Sequence, residues 1–216
     1  MVGVIPFYGA TEPDLFAIER RAMDRPQHVV AELDSILPTG VVIDVGAGNG
    51  HTAQLLASSS RRVLALEPSA GMVDPQVRTP WLRGDAEALP VAADAVDGVY
   101  ATWAYFFSRG FDPAPGLREA WRVVRPGGMI AVVDNLGADE FCAMASHDIA
   151  ADPAYWEGLG FGLRVVETVF DFDDLDDARR LLGRFFGASG AAVERTTFEF
   201  RVGLWAREVT AAPPPM

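Results

Sequence analysis

The alternate residues Asp44, Gly46, Gly48 and Gly50 have the types and the spacing to hold a nucleotide-like ligand. Glycine has no Cβ, so a ligand can approach its backbone closely and the chain can adopt positive φ. A carboxylate two residues before the first glycine can accept hydrogen bonds from the same ligand. The pattern is not the dinucleotide fingerprint G-x-G-x-x-G, because the position of its third glycine is His51. A phosphate-binding P-loop is excluded, since all 18 basic residues are arginines.

A second acid, Glu67, follows the first glycine by about 20 residues. An acid at this distance, at the end of the next strand, is placed to accept hydrogen bonds from ribose hydroxyls. This feature alone does not distinguish one ribose-containing cofactor from another.

The elements that would position these residues are strands and helices in alternation. The glycine turn follows a β-branched apolar run, typical of a buried parallel strand, and precedes a helical pattern. Helices are predicted over residues 14–37, in two pieces divided near Pro26, and over residues 117–124. The acidic run 171–177 fits the N-terminus of a further helix better than a cation site. Strands are predicted at residues 41–45, 61–67, 81–83, 96–101, 129–133, 161–172 and 196–208.

These motifs, in this order, resemble those of the class I S-adenosylmethionine-dependent methyltransferases. The most specific segment is Gly-Asp-Ala-Glu-Ala-Leu-Pro at residues 84–90, followed by Ala-Asp-Ala-Val-Asp. It is similar to the small-molecule branch that includes ubiquinone and menaquinone methyltransferases. The resemblance implies an α/β fold: a Rossmann-like three-layer αβα sandwich whose seven-stranded, mostly parallel sheet has its last strand antiparallel.

The resemblance also implies S-adenosylmethionine as the cofactor. In this family the first acid contacts the methionine amino end, the glycines lie beneath the cofactor, and Glu67 binds the ribose. Asp85 would accept from the adenine amino group, and the aromatic segment 102–107 would form a wall beside the cationic sulfonium. The implied cofactor-binding residues are Asp44, Gly46, Ala47, Gly48, Glu67, Pro68, Asp85, Ala86, Thr102, Trp103 and Tyr8.

A single methyltransferase domain is expected over residues 1–209. It divides into an N-terminal helical lid (1–39), a cofactor-binding core (40–135) and an acceptor-side segment with the closing strands (136–209). Residues 210–216, with three prolines, are expected to form a disordered tail.

Other groups that could do chemistry are less well supported. Asp134 and Asn135 lie where some methyltransferases bind a divalent cation, but Thr102 and Trp103 replace the further carboxylate such a site needs. No metal is therefore predicted. The pair His147 and Asp148 could shuttle a proton, although a surface position is favoured. No catalytic residue is predicted, because an activated methyl group makes a dedicated base optional.

The amino-acid composition limits the kinds of partner that the protein is expected to bind. The net charge of −12 disfavours nucleic acid and anionic membranes, and no apolar run is long enough for a membrane span. There is no signal-peptide pattern, and a single cysteine, Cys142, fits a reducing cytoplasm. The predicted partner is a small-molecule acceptor; the oligomeric state is not determined, and a homodimer is kept as one candidate.

The predicted function is methyl transfer from S-adenosylmethionine to O, N or C of a small molecule. Two alternatives stay open: a protein that binds the cofactor as a regulator without transferring the methyl group, and an NAD(P)-dependent oxidoreductase on a similar sheet.

Overall fold

One seven-stranded sheet organises the protein, in a computed structural model that describes residues 8–106 and 112–211. The strands are β1 Gly40–Val45, β2 Arg61–Leu66, β3 Trp81–Leu82, β4 Val96–Thr102, β5 Val124–Asn135, β6 Gly162–Asp171 and β7 Thr197–Glu208. Their order in the sheet is β3-β2-β1-β4-β5-β7-β6.

Helices cover both faces of this sheet. Alternate residues of each strand point to opposite sides, so that Val42 belongs to one hydrophobic cluster of buried residues and its neighbour Ile43 to the other. The predicted three-layer αβα sandwich is thereby confirmed. The helices are α1 Pro13–Ala22, α2 His28–Ile36, α3 His51–Leu56, α4 Ala114–Val123, α5 Pro153–Gly158, α6 Leu175–Phe186 and α7 Ala188–Ala191.

The strand directions also agree with the prediction. The pairs from β3 to β5 are parallel, whereas β7 runs antiparallel to both of its neighbours, β5 and β6. The chain therefore places its last strand inside the sheet and leaves β6 at the edge. The order reverses between β1 and β4, which is where open α/β sheets bind ligands at the carboxyl ends of their strands.

Asp24, between the two N-terminal helices, connects them to the edge strand β6. This residue is buried, and its carboxylate accepts hydrogen bonds from the amides of His28 and Val29, both at 2.9 Å. The same carboxylate accepts from the Thr168 hydroxyl of β6 at 2.7 Å. Asp24 thus satisfies the free amides at the start of α2 and joins that helix to β6.

The element boundaries differ from the predictions where tertiary contacts extend them. The predicted strand 129–133 begins at Val124, because Val124 already pairs with Val96 of β4. The predicted capping role of the acidic run is seen at Asp174, whose side chain accepts from the Asp177 amide at 2.9 Å. Residues 212–216 of the predicted tail lie outside the described residues. In the part of the chain that the structure describes, no helix is long and apolar enough to cross a membrane.

Candidate active site

The glycine turn after β1 is held against the end of β2. The amides of Gly46 and Ala47 both donate to the Leu66 carbonyl, at 2.9 and 3.0 Å. Gly46 has φ +74°, and a Cβ there would lie 2.6 Å from the Ala104 Cβ. Glycine is therefore required at this position by both conformation and space.

Asp44 lies at the carboxyl end of β1 and is fully buried. Neither of its carboxylate oxygens has a hydrogen-bond partner among the described residues. Tyr100 lies opposite it on β4. Burial raises the pKa of Asp44 to about 7, and the nearby Tyr100 hydroxyl and Arg20 oppose that shift. A buried carboxylate with no donor in hydrogen-bond geometry is costly, and a ligand that brings a charged donor would relieve that cost.

Glu67 joins the glycine turn to the segment after β2. One of its carboxylate oxygens accepts from the Gly48 amide at 2.9 Å, and the other accepts from the Ser69 amide at 2.9 Å. Burial raises the pKa of Glu67, and these two hydrogen bonds oppose the shift. Because an ionised carboxylate has about four acceptor positions, Glu67 can still accept from ribose hydroxyls.

The segment 84–90 follows β3 at the same edge of the sheet. Asp85 is exposed and its carboxylate accepts from the Glu87 amide at 2.9 Å, which forms a tight turn, while Ala86 is buried. Glu87 in turn accepts from the Tyr105 hydroxyl at 2.6 Å. The turn is therefore tied to the segment after β4, and the Asp85 side chain faces solvent.

Trp103, directly after β4, is held in a fixed orientation. Its φ of +45° is unusual for a bulky residue, and its indole N–H donates to the Asn135 side-chain oxygen at 3.1 Å. Its ring stacks on Phe200 of β7 with centroids 6.0 Å apart. Of the predicted aromatic wall, Trp103 is half-buried, Phe106 is in the core, and Phe107 lies outside the described residues.

The N-terminal helix α1 covers the glycine turn. The Phe16 ring would lie 3.4 Å from a Cβ placed on Gly48. Sequence reasoning did not single out Phe16 or Arg20, because both look like ordinary positions of an amphipathic helix. The backbone of Tyr8 forms a short 3-10 turn with Gly9 and Ala10, and its side chain lies outside the described part.

The remaining candidates are not brought together. His147 and Asp148 lie exposed in a loop between a 3-10 turn and α5. Asp134 is buried, which raises its pKa to about 7, and its carboxylate accepts from the Asn135 amide at 2.8 Å. Burial and the neighbouring Asp139 raise the pKa of the Cys142 thiol well above its ordinary value. The thiolate, which is the nucleophilic form, is therefore disfavoured.

A pocket of about 510 Å³ opens beside the loop after β5. The Ile149 carbonyl at its wall accepts from the Asn135 side chain at 3.2 Å, and Asn135 also accepts from Trp103. The pocket is thus linked through one side chain to the end of β4. It is lined by Gly137, Ala138, Asp139, Glu140, Cys142, Ala143, Asp148, Ile149 and Glu199.

Known proteins are similar in sequence to the part of the chain that forms this edge of the sheet. Residues 43–132 match the family model described as a methyltransferase domain. A malonyl-[acyl-carrier protein] O-methyltransferase of Yersinia pestis is 38% identical over 94 residues, 42% of this chain and 34% of that one. A demethylmenaquinone methyltransferase of Renibacterium salmoninarum is 31% identical over 135 residues, 61% of this chain and 55% of that one. The chain thus spans about a third to about a half of the length of these relatives.

The fold agrees with a solved structure as well. The YcgJ protein of Bacillus subtilis superposes with a TM-score of 0.60 at 19% identity, covering 86% of this chain and 100% of that one. At this identity the likeness concerns the fold alone. The sequence match at residues 43–132 spans the glycine turn, Glu67 and the segment 84–90. Residues 43–132 therefore match a methyltransferase domain, and this part of the chain is similar in sequence to the quinone methyltransferases.

Proposed function

We propose that this protein transfers the methyl group of S-adenosylmethionine to a small-molecule acceptor, at an O, N or C atom. The observation that carries the proposal is the fully buried carboxylate of Asp44, which has no hydrogen-bond partner among the described residues and lies beside the glycine turn. The cofactor's α-ammonium group is a charged donor of the kind that this carboxylate lacks. The residues present therefore fit the cofactor.

Each of the predicted residues would then have a binding role. Asp44 would accept from the α-ammonium group, Glu67 from the ribose hydroxyls, and Asp85 from the adenine amino group. The backbone at Gly46, Ala47 and Gly48 and the residues Pro68 and Ala86 would contact the cofactor between these acids. Thr102, Trp103 and Tyr8 would complete the set of cofactor-binding residues.

The bound cofactor supplies a methyl group already activated by the positive sulfonium. The protein then has to place the acceptor in line with that methyl group and keep water out. Trp103 suits this task, since its hydrogen bond to Asn135 and its stacking on Phe200 fix the ring at the end of β4. An aromatic face beside a cation is favourable.

The acceptor has room on the side of β5. The pocket of about 510 Å³ is within the size range of small-molecule sites. Four acids line it: Asp139, Glu140, Asp148 and Glu199. Glu140 is paired with Arg195 at 2.9 Å, but the lining as a whole is negative. We infer that the acceptor is uncharged or cationic rather than phosphorylated.

We also propose the domain organisation expected from the sequence: a lid over residues 1–39, a core over 40–135 and an acceptor-side segment over 136–209. The contact of Phe16 with the glycine turn supports the lid. We propose in addition that the protein is cytoplasmic, that it does not bind nucleic acid and that it forms a homodimer. The single cysteine and the net charge of −12 support the first two.

The alternatives predict different ligands. An oxidoreductase would bind NADH, and the comparisons give it no support. A regulator without transfer would bind the cofactor and leave it unchanged. Thermal unfolding with S-adenosylmethionine, S-adenosylhomocysteine and NADH in parallel tests both, because a ligand at about 100 times its Kd adds about 2.7 kcal/mol to the free energy of unfolding. Stabilisation by NADH alone would overturn the proposal.

Site variants test the residue assignments. Asp85→Ala and Glu67→Ala should each weaken S-adenosylhomocysteine binding by about 1–3 kcal/mol, the cost of losing a hydrogen-bond partner for a bound group. Titration calorimetry measures the change. Glu157→Ala, which removes an exposed acid from α5, should bind like the wild type. Unchanged affinity in both site variants would refute the assignments.

A further inference from the structure

Arg20 has a position that neither the fold nor the roles above explain. It lies on α1 one turn after Phe16, and residues four apart share a helix face. That face covers the glycine turn, since the Phe16 ring would lie 3.4 Å from a Cβ on Gly48. The Arg20 Nε is buried and has no hydrogen-bond partner among the described residues. A buried guanidinium donor without an acceptor is unusual, because it loses its hydration without a replacement.

The next residue, Arg21, shows the contrast. It lies about 100° further round the helix and points away from the turn. Its guanidinium is exposed and pairs with Asp173 at 3.2 Å and Asp177 at 3.1 Å, next to and within α6. Arg21 therefore pairs with two acids of the fold, whereas the buried Arg20 Nε has no hydrogen-bond partner among the described residues.

The two acids beside the glycine turn would repel a bound anionic group, so such a group needs a cation, and Arg20 can supply it. Asp44 and Glu67 are both buried acids, so a further carboxylate beside them is disfavoured without a cation. Arg20 acts on both Asp44 and His51, lowering the pKa of each. Burial, and to a smaller extent Arg20, lowers the pKa of His51 below the ordinary 6.5, which disfavours His51 as that cation.

We propose that Arg20 is a cofactor-binding residue that holds the α-carboxylate of the cofactor's amino-acid end while Asp44 holds the α-ammonium group. This inference rests on the proposed function, since it assumes that S-adenosylmethionine occupies the turn. The two side chains, one from the lid helix and one from β1, form a pair of opposite charges that matches a zwitterion. A guanidinium is suited to this role because its planar fork binds a carboxylate through two donors.

The test compares two ligands that differ only in the carboxylate: S-adenosylhomocysteine and its decarboxylated analogue. Titration calorimetry measures the affinity of each for the wild type, Arg20→Gln and Arg21→Gln. Arg20→Gln should weaken S-adenosylhomocysteine binding by about 10- to 100-fold, the range for charged hydrogen bonds. It should leave the affinity for the analogue unchanged. Arg21→Gln is the matched control and should bind both ligands like the wild type.

The outcomes separate this inference from the proposed function. Equal loss of both ligands in Arg20→Gln, or no loss of either, overturns the role of Arg20 while leaving the cofactor assignment intact. No binding of S-adenosylhomocysteine by the wild type overturns both. Arg20→Lys keeps the charge and loses the fork, so it should weaken S-adenosylhomocysteine binding by less than Arg20→Gln does. Arg20→Lys replaces Arg20→Gln in the comparison if Arg20→Gln fails to fold. Equal affinity of the wild type for the two ligands would also refute the inference.

Discussion

Replacing Asp44 with asparagine should make the stability of the cofactor-free protein less dependent on pH. The pKa of this carboxyl is about 7 in the fold, against an ordinary value of 3.8, because it is fully buried. Between these values the unfolded chain ionises Asp44 and the folded chain does not. The free energy of unfolding therefore falls as the pH rises from 3.8 to about 7, and it stays level above that.

The size of the effect follows from the two pKa values. The whole difference corresponds to about 4 kcal/mol, and the part lost between about pH 5 and about pH 8 is roughly 2–3 kcal/mol. Asparagine has a similar shape and does not titrate. Any fixed cost of its unpaired amide is the same at both pH values and cancels in the comparison. Asp134, whose pKa is also about 7, is present in both proteins and cancels too.

Urea denaturation at about pH 5 and about pH 8 measures the effect in wild type and Asp44→Asn. The free energy of unfolding of Asp44→Asn minus that of the wild type should be about 2–3 kcal/mol larger at the higher pH than at the lower. Asp14→Asn, which changes an exposed acid on α1, should follow the wild type at both. A difference between Asp44→Asn and wild type that is equal at the two pH values would show that Asp44 is solvated, and would refute the reasoning. Under the proposed function, the variant should also lose its stabilisation by S-adenosylhomocysteine.

Three other variants or treatments test the fold around the site. Gly46→Ala should destabilise by about 1–3 kcal/mol in urea denaturation, because φ is +74° and the new Cβ would meet Ala104; an unaffected variant would contradict this geometry. Asp24→Ala should cost about 1–3 kcal/mol, since it removes the cap of α2 and the acceptor for Thr168; Thr168→Val should cost less, and equal costs would argue against the cap. Cys142 should resist iodoacetamide near neutral pH, as followed by mass spectrometry, because burial raises its thiol pKa; rapid labelling of the folded protein would refute this.

The parts of the site that sequence predicted best are those in which one local pattern sets both conformation and chemistry. The turn at 44–50 could be predicted because its glycines adopt positive φ at all three positions, 46, 48 and 50. The position of Glu67 could be predicted from chain order, since it directly follows β2, the strand that pairs with β1. The αβα sandwich is expected from the resemblance to the methyltransferases, and the alternation of strand and helix patterns agrees with it.

Other parts depend on contacts that no local pattern contains. Tyr100 lies opposite Asp44 only because β1 and β4 pair in one register, and register is a property of the assembled sheet. Arg20 and Phe16 read as ordinary residues of a helix until that helix is placed over the turn. The capping of α2 by Asp24 needs a left-handed φ of +51° and a partner on β6.

The position of β7 inside the sheet has a consequence for synthesis on the ribosome. When β6 has emerged, β7, which will separate it from β5, is not yet free to pair, so β5 and β6 each present an unpaired edge. Only when residues 197–208 are free of the exit tunnel can the strand enter between them, hydrogen-bonded on both sides. The nascent chain must therefore wait in an incomplete state, in which those open edges are the places for chaperones or neighbouring chains to bind.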